Sequence, residues 1–400
     1  MNAFSLPRSL DEVQRPRLGA GLGVRLDWLL LAAVVGLTVC SLVTIGGATR
    51  TDIHGRPDYY VTRQGFACAL GAVLMLGLSR FDYSRLREWK YGIYALMLAP
   101  IVLVLGLGAA TRGSKRWIDF PLFRFQPSEL GKLLLVLALS AFVVDRVRKL
   151  GDRDTTTRTM LLALVPAMLV FVQPDLGSGL VYVIIALAVL FVAGADARHF
   201  AALFALGAVA ITLVLAVAPA AGVSLLKPYQ VDRLTNFLHP TQDPRKQGYQ
   251  QAQSEISIGA GRRTGRGQAG ATQTRLNFLP EHHTDFIFAV VGERFGFVGA
   301  ALVLSLYALL IWRGLRILTL AKNLYGSLVA GGIVAMLLFQ VIVNAGMTVG
   351  IMPITGVPLP LMSYGPSSVL VTFLAAGLLQ SIYVQGRAAA ANKGRLLALG

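Results

Sequence analysis

The chain has 400 residues, of which 55% are hydrophobic and 14% charged, with a mean hydropathy of +0.62. A soluble domain carries about 25% charged residues, so these side chains cannot cover a water-facing surface. Disorder, collagen-like structure and a disulfide scaffold are excluded too, since Cys40 and Cys68 are the two cysteines and each sits in an apolar run. The net charge of +17 is first explained, in a membrane protein, by basic loops held on one side of the bilayer.

Residues 1–27 are polar and basic, and the run that follows reads as an uncleaved first span rather than a signal peptide. A bilayer-crossing helix takes about 20 mostly apolar residues. Ten spans are predicted, at 28–47, 61–79, 91–110, 127–144, 159–173, 177–193, 200–219, 290–312, 325–349 and 367–385. The fold class is therefore all-α polytopic membrane protein. The fifth and sixth spans are separated by Gln173-Pro174-Asp175 and form a tight hairpin. Spans one to seven fill 28–219 and spans eight to ten fill 290–385, leaving 386–400 as a C-terminal tail read as cytoplasmic. Between them, 220–289 is one long polar, Gly-rich segment with little structural pattern. Ten spans put both termini on one side. Assigning that side to the cytoplasm places 20 Lys+Arg on inner segments against six on the short outer ones, as the positive-inside rule requires. The long loop adds eight more, but long loops cross regardless of charge. It is read as extracytoplasmic, and nucleic acid is not needed to explain the charge. The protein is placed in the cytoplasmic membrane. No internal repeat is visible, and no nucleotide motif lies on the inner side.

Ionisable residues at membrane depth are costly and mark functional sites. In Gln126-Pro127-Ser128-Glu129-Leu130-Gly131-Lys132, Pro127 suits the first turn of a helix and Glu129 and Lys132 share one face. They read either as a mutually neutralising anchor or as the polar lining of a substrate cavity. Asp175 begins the sixth span. Arg112, Lys115, Arg116 and Trp117 form either an interfacial anchor or a site for an anionic head group. Glycines over 259–270, with Arg262, Arg263 and Arg266, suit phosphate oxygens, although a solvated flexible loop is the simpler reading. In 279–289, Thr284 and Asp285 suit a helix cap. Asp285 equally suits a carboxylate held beside apolar groups that takes a proton from a substrate hydroxyl. His282 and His283 suggest a metal, but no second His/Cys cluster completes the ligands, so none is assigned. Prolines and glycines from Pro353 to Pro366, around Ser363, break any helix there, which at membrane depth is tolerated where backbone lines a cavity or is buried in protein. All of these features fall on the outer side, so the chemistry is expected at the outer membrane–water boundary.

Together these segments resemble the SEDS family (shape, elongation, division and sporulation). The matching residues are Lys115-Arg116-Trp117-Ile118, Phe125 to Glu129 with Lys132, Gln173 to Gly177, Tyr229-Gln230 with Arg233, Gly248-Tyr249-Gln250, Phe278 to Glu281 with His283 to Phe288, and Pro358-Leu359-Pro360 with Ser363-Tyr364-Gly365. The forms around Phe123–Glu129 and Gly356–Pro360 are closer to the elongation branch than to the division branch. The resemblance implies a ten-helix peptidoglycan glycosyltransferase with lipid II and the growing glycan strand as substrates, serving cell shape and elongation. It implies that Asp285 is the essential extracytoplasmic aspartate, acting as general base, and that Glu129 and Lys132 are the paired acid and base of the fourth span. Lys115, Arg116, Arg233, His283, Asp175 and Ser363 are the expected substrate and diphosphate contacts. A class B penicillin-binding protein is the implied partner. No cofactor is assigned, with a divalent cation (Mg or Mn) left open as counter-charge for the diphosphate. A lipid II flippase and a non-catalytic transpeptidase scaffold are the alternatives. Three departures stand out. His282 replaces an Arg, Pro366 replaces a Gly, and Arg262 and Arg263 replace apolar residues.

Overall fold

Hydrocarbon offers no water to unpaired amides, so apolar runs of membrane length pair their backbone within a helix. The computed structural model describes residues 26–50, 52–53, 55–107, 109–111, 114–119, 124–220 and 247–397. Its main helices are α1 (Trp28–Ala48), α2 (Tyr59–Arg80), α3 (Lys90–Leu107), α4 (Pro127–Val144), α5 (Arg153–Val172), α6 (Leu176–Ala193), α7 (Ala197–Thr212), α8 (Gln247–Gly261), α9 (Ile287–Leu320), α10 (Leu324–Thr348) and α11 (Pro366–Leu397). Each of the ten predicted spans coincides with one of them, α8 being the exception that no span anticipated. Nine are long and apolar enough to cross a bilayer, among the described residues. The tenth, Lys90–Gly106, is a shorter apolar helix with Pro100 inside.

Local chemistry sets the helix ends. Asp27 accepts the Leu30 amide at 3.0 Å, and Asn323 accepts the Gly326 amide at 2.9 Å. Pro127 and Pro366 open α4 and α11, where the missing N–H has no helical partner to lose. The α4, α10 and α11 helices are buried along most of their length, whereas α7 has no buried residue and forms the periphery. Small residues let the backbones close up. Gly332 of α10 faces Val136 of α4, Gly71 of α2 faces Phe373, and Gly377 of α11 faces the Met75 backbone. At the end where α1 begins, Asp27 is buried and held by two nitrogens of Arg313, while Gln380 exchanges hydrogen bonds with its backbone at 2.8 and 3.0 Å.

Two features depart from the sequence reading. Between α3 and α4 the chain forms three short antiparallel strands, Ala109–Thr111, Ser114–Asp119 and Arg124–Phe125, in that order. The segment before α9 is also more ordered than its composition suggested. There α8 packs against α9, and the Gly-rich stretch after it fills a break in α9 at Gly296 (φ 64°, ψ −158°). The helical bonds lost at the break are replaced by the loop. Phe297 N donates to Arg262 O at 2.9 Å, Val298 N to Arg263 O at 3.2 Å, and Arg266 N to Glu293 O at 2.9 Å. A Cβ on Gly296 would lie 2.7 Å from the Arg263 carbonyl carbon, so both the φ and the space demand glycine. This stretch therefore serves as a plug for a broken helix rather than a free solvated loop.

Candidate functional site

The helix connections bring the ends of α1, α3, α5 and α10 and the starts of α2, α4, α6, α9 and α11 to one end of the bundle. The centrepiece is the non-helical segment 349–365, where Gly350, Gly356 and Leu361 take positive φ values of 80°, 74° and 64°. It is stitched to the turn before α9. Buried Asn344 donates through Nδ2 to Asp285 O at 2.9 Å and to Val357 O at 2.8 Å. Ser363 Oγ donates to Thr284 O at 2.7 Å and accepts from Leu359 N at 2.8 Å, and Tyr364 N donates to His283 O at 2.8 Å. Asp285 is half-buried, with Oδ2 only 3.7 Å from where a Cβ of Gly356 would sit. Phe286 occupies the cap position of α9, and the Thr284 hydroxyl turns back to Glu281, so the cap expected of Thr284 and Asp285 is not what this turn builds. The half-buried His283 ring lies between Tyr60 and Tyr364, at centroid distances of 4.6 and 5.7 Å.

The other side of the same segment faces α4 and α6. Gly177 packs against Val357 and the Thr355 carbonyl. Asp175 is buried, caps α6 through Ser178 N at 3.1 Å and accepts from Gln126 Nε2 at 3.0 Å. The Gln126 amide donates to Ser367 Oγ at 3.1 Å, tying α4 to α11. One turn further into α4, Glu129 and Lys132 form a 2.7 Å ion pair with side chains 4% and 1% exposed. Arg116 donates to Gln173 O at 2.8 Å and to Pro174 O. Asp175, Arg116 and Ser363 thus each make bonds that hold this end together. Lys115 lies in the second strand, but its side chain, like Arg112 and Arg233, falls outside the described residues.

Two groupings escaped the sequence reading. Asp52, in the loop after α1, reaches the two histidines, with Oδ2 at 3.2 Å from His282 Nε2 and 3.9 Å from His283 Nδ1. A cavity of about 170 Å³ lies beside Arg50, Arg275 and Arg294. Arg294 is buried, rests on Gly47 and donates to Thr44 O at 3.1 Å. The signal available in the sequence was Arg50 and Asp52 in one short loop after the first span, with Arg294 inside the eighth span.

These features define a polytopic helical membrane protein in which Glu129, Lys132, Asp175, His283 and Asp285 gather at one end of the bundle around a broken segment. The chain belongs to the cell cycle protein family of FtsW, RodA and SpoVE, whose profile it matches over residues 24–388. It is 37% identical to the peptidoglycan glycosyltransferase MrdB of Escherichia coli K12, covering 90% of this chain and 94% of that one. It is also 37% identical to a probable peptidoglycan glycosyltransferase FtsW of Thioalkalivibrio sulfidiphilus, over 96% and 95%. Among solved structures, it resembles a chain of a peptidoglycan synthase complex that coordinates polymerization and crosslinking. That match has a TM-score of 0.76 and 33% identity, covering 91% of this chain and 99% of that one.

Proposed function

We propose that this chain polymerises lipid II into glycan strands at the outer face of the cytoplasmic membrane, with Asp285 as general base. The chain is a peptidoglycan glycosyltransferase by its family and by the names of its relatives. The observation that supports the assignment of the base is the placement of Asp285. Its backbone is fixed by Asn344, and its carboxylate stands at a glycine that leaves space in front of it.

In this reading a sugar hydroxyl of one lipid II attacks the anomeric carbon of the diphosphate-linked strand. The new glycosidic bond forms as the carbon–oxygen bond to the diphosphate breaks, with inversion. The hydroxyl proton passes to Asp285, a step typically contributing about 10²–10⁴-fold. Undecaprenyl diphosphate leaves with its negative charge, which fixed cations stabilise without reorganising. Arg50, Arg275 and Arg294 are suited to that task by their convergence on one cavity. Lys115, Arg116, Arg233, His283, Asp175 and Ser363 keep their proposed role as substrate contacts, and Glu129 with Lys132 that of a polar lining deeper in α4. Grooves between the helices hold the lipid tails. The proposed partner is a class B penicillin-binding protein, in keeping with the synthase complex whose chain this fold resembles.

The test is polymerisation of labelled lipid II by purified protein, with a matching transpeptidase and divalent ions, read as glycan on a gel. Asp285→Ala, with helicity matched to wild type, is expected to give no polymer. Equal polymer from both removes Asp285 from catalysis. No polymer from either shifts the chain to a flippase or scaffold.

A further inference from the structure

The contact of Asp52 with His282 is not a well-formed hydrogen bond. His282 Nδ1 lies 3.1 Å from the Leu279 carbonyl oxygen. A carbonyl oxygen only accepts, so Nδ1 carries the hydrogen and Nε2 presents a lone pair in the neutral ring. That Nε2 lies 3.2 Å from Asp52 Oδ2 but outside hydrogen-bond geometry. Neither His282 Nε2 nor Asp52 Oδ1 has a hydrogen-bond partner among the described residues, and both atoms are sealed from solvent. The two side chains are 5% and 10% exposed. Two lone-pair atoms at this distance in a dry setting repel unless a cation lies close to both. His283 Nδ1 closes the group at 3.9 Å from the same carboxylate oxygen, and the three ligand atoms lie within 4.8 Å of one another.

We propose that Asp52, His282 and His283 bind a divalent metal ion of the zinc type. The donor set is two imidazole nitrogens and one carboxylate oxygen, which suits zinc and disfavours magnesium, an oxygen-seeking ion. Tetrahedral zinc with bonds of about 2.0–2.1 Å spaces its ligand atoms about 3.3 Å apart, close to the 3.2 Å between Asp52 and His282, and His283, at 3.9 Å, would draw in to complete the set. The Leu279 carbonyl supplies the outer hydrogen bond that orients a ligating histidine and fixes its tautomer. Three protein ligands leave a fourth position for water or a substrate oxygen. The ion would fasten the loop after α1 to the turn carrying Asp285, two residues beyond His283. The two histidines alone had left the ligand set incomplete in the sequence, and the third ligand comes from 230 positions upstream.

The rival state is a doubly protonated His282 paired with Asp52 as an ordinary ion pair. The test needs no lipid substrate, so its outcome is independent of the glycosyltransferase reading. Full-length protein in detergent is stripped with a chelator, titrated with Zn²⁺, and separately loaded with Co²⁺ to read the visible spectrum. Wild type is expected to take up one equivalent, to melt at a higher temperature when loaded, and to give the strong absorption of a tetrahedral cobalt site. His282→Arg, which keeps a cation for Asp52, and Asp52→Asn are each expected to lose that equivalent with helicity unchanged. Absence of uptake and of any zinc-dependent melting shift in wild type establishes the ion pair and overturns the proposal. Uptake that survives both substitutions overturns it as well, by placing the metal elsewhere.

Discussion

The Glu129–Lys132 pair offers a test of what a buried charge pair contributes. The two heads are 2.7 Å apart with side chains 4% and 1% exposed. At an effective dielectric of about 20, their attraction is about 6 kcal/mol, set against the cost of dehydrating both. Lys132→Met leaves a buried carboxylate without its counter-charge, and Glu129→Gln leaves a buried ammonium. Each single change is expected to cost about 3–5 kcal/mol, while the double variant, which buries no charge, stays within about 1–2 kcal/mol of wild type. The assay is thermal unfolding of the four proteins in one detergent, followed by circular dichroism and analysed as a double-mutant cycle. Equal, additive losses in which the double variant is the least stable would refute the reasoning, because the pair would then not be coupled. Glycan synthesis by the double variant separates its roles. Polymer at the wild-type level makes the pair an anchor, and its absence in a stable protein makes it part of the substrate cavity.

Other outcomes follow from the same geometry. Gly177→Ala drives a methyl into Val357 and the Thr355 carbonyl. It should lower lipid II polymerisation at least tenfold by shifting the segment that faces Asp285, at a cost of about 1–3 kcal/mol in stability. Gly296→Ala combines a positive φ with a backbone overlap, and should cost at least about 1–3 kcal/mol, seen as a lower melting temperature and faster proteolysis after Arg262 and Arg263. Asp27→Asn weakens the hold on Arg313 and should cost about 1–3 kcal/mol, measured by thermal unfolding. Burial alone would raise the carboxyls of Asp82 and Asp145, but the Ser84 amide and Lys322 hold the first below 3.8, and Lys90 and Arg87 the second. A folded value below the unfolded one gives stability that is present above 3.8 and lost as pH falls through the lower folded values. Melting curves recorded down to about pH 3 should therefore flatten in Asp82→Asn and Asp145→Asn.

The ten spans were legible because hydropathy is written residue by residue. For 127–144 the predicted bounds and the helix coincide, since Pro127 marks the start. The break around Ser363 was legible for a similar reason, from prolines and glycines that no helix accommodates. What escaped was decided by contacts between distant parts of the chain. The three strands between α3 and α4 are too short to show an alternating pattern. The α8 helix is too polar to stand out as a span and is held by packing on α9. Asp52 carried no mark of its partnership with His282, because nothing local to either residue encodes the approach. The Gly-rich stretch was the most misleading feature. Its glycines read as mobility, whereas Gly265 and Gly296 are small because two backbones touch there.

The break at Gly296 divides α9 into unequal rods. Residues 297–320, 24 in number, make a rod about 36 Å long at 1.5 Å per residue, enough to cross the hydrocarbon layer alone. Residues 287–295 form a separate short rod, clamped by the 262–266 loop on one side and joined to Asp285 on the other. A change in bilayer thickness is met by spans that tilt. In an unbroken helix, that tilt would swing the start of α9, and the carboxylate just before it, through several ångströms. Here the loop bonds to both rods at the joint, through Arg266 to the short one and through Arg262 and Arg263 to the first residues of the long one, so the end of the molecule that carries Asp285 is braced where the helix is divided.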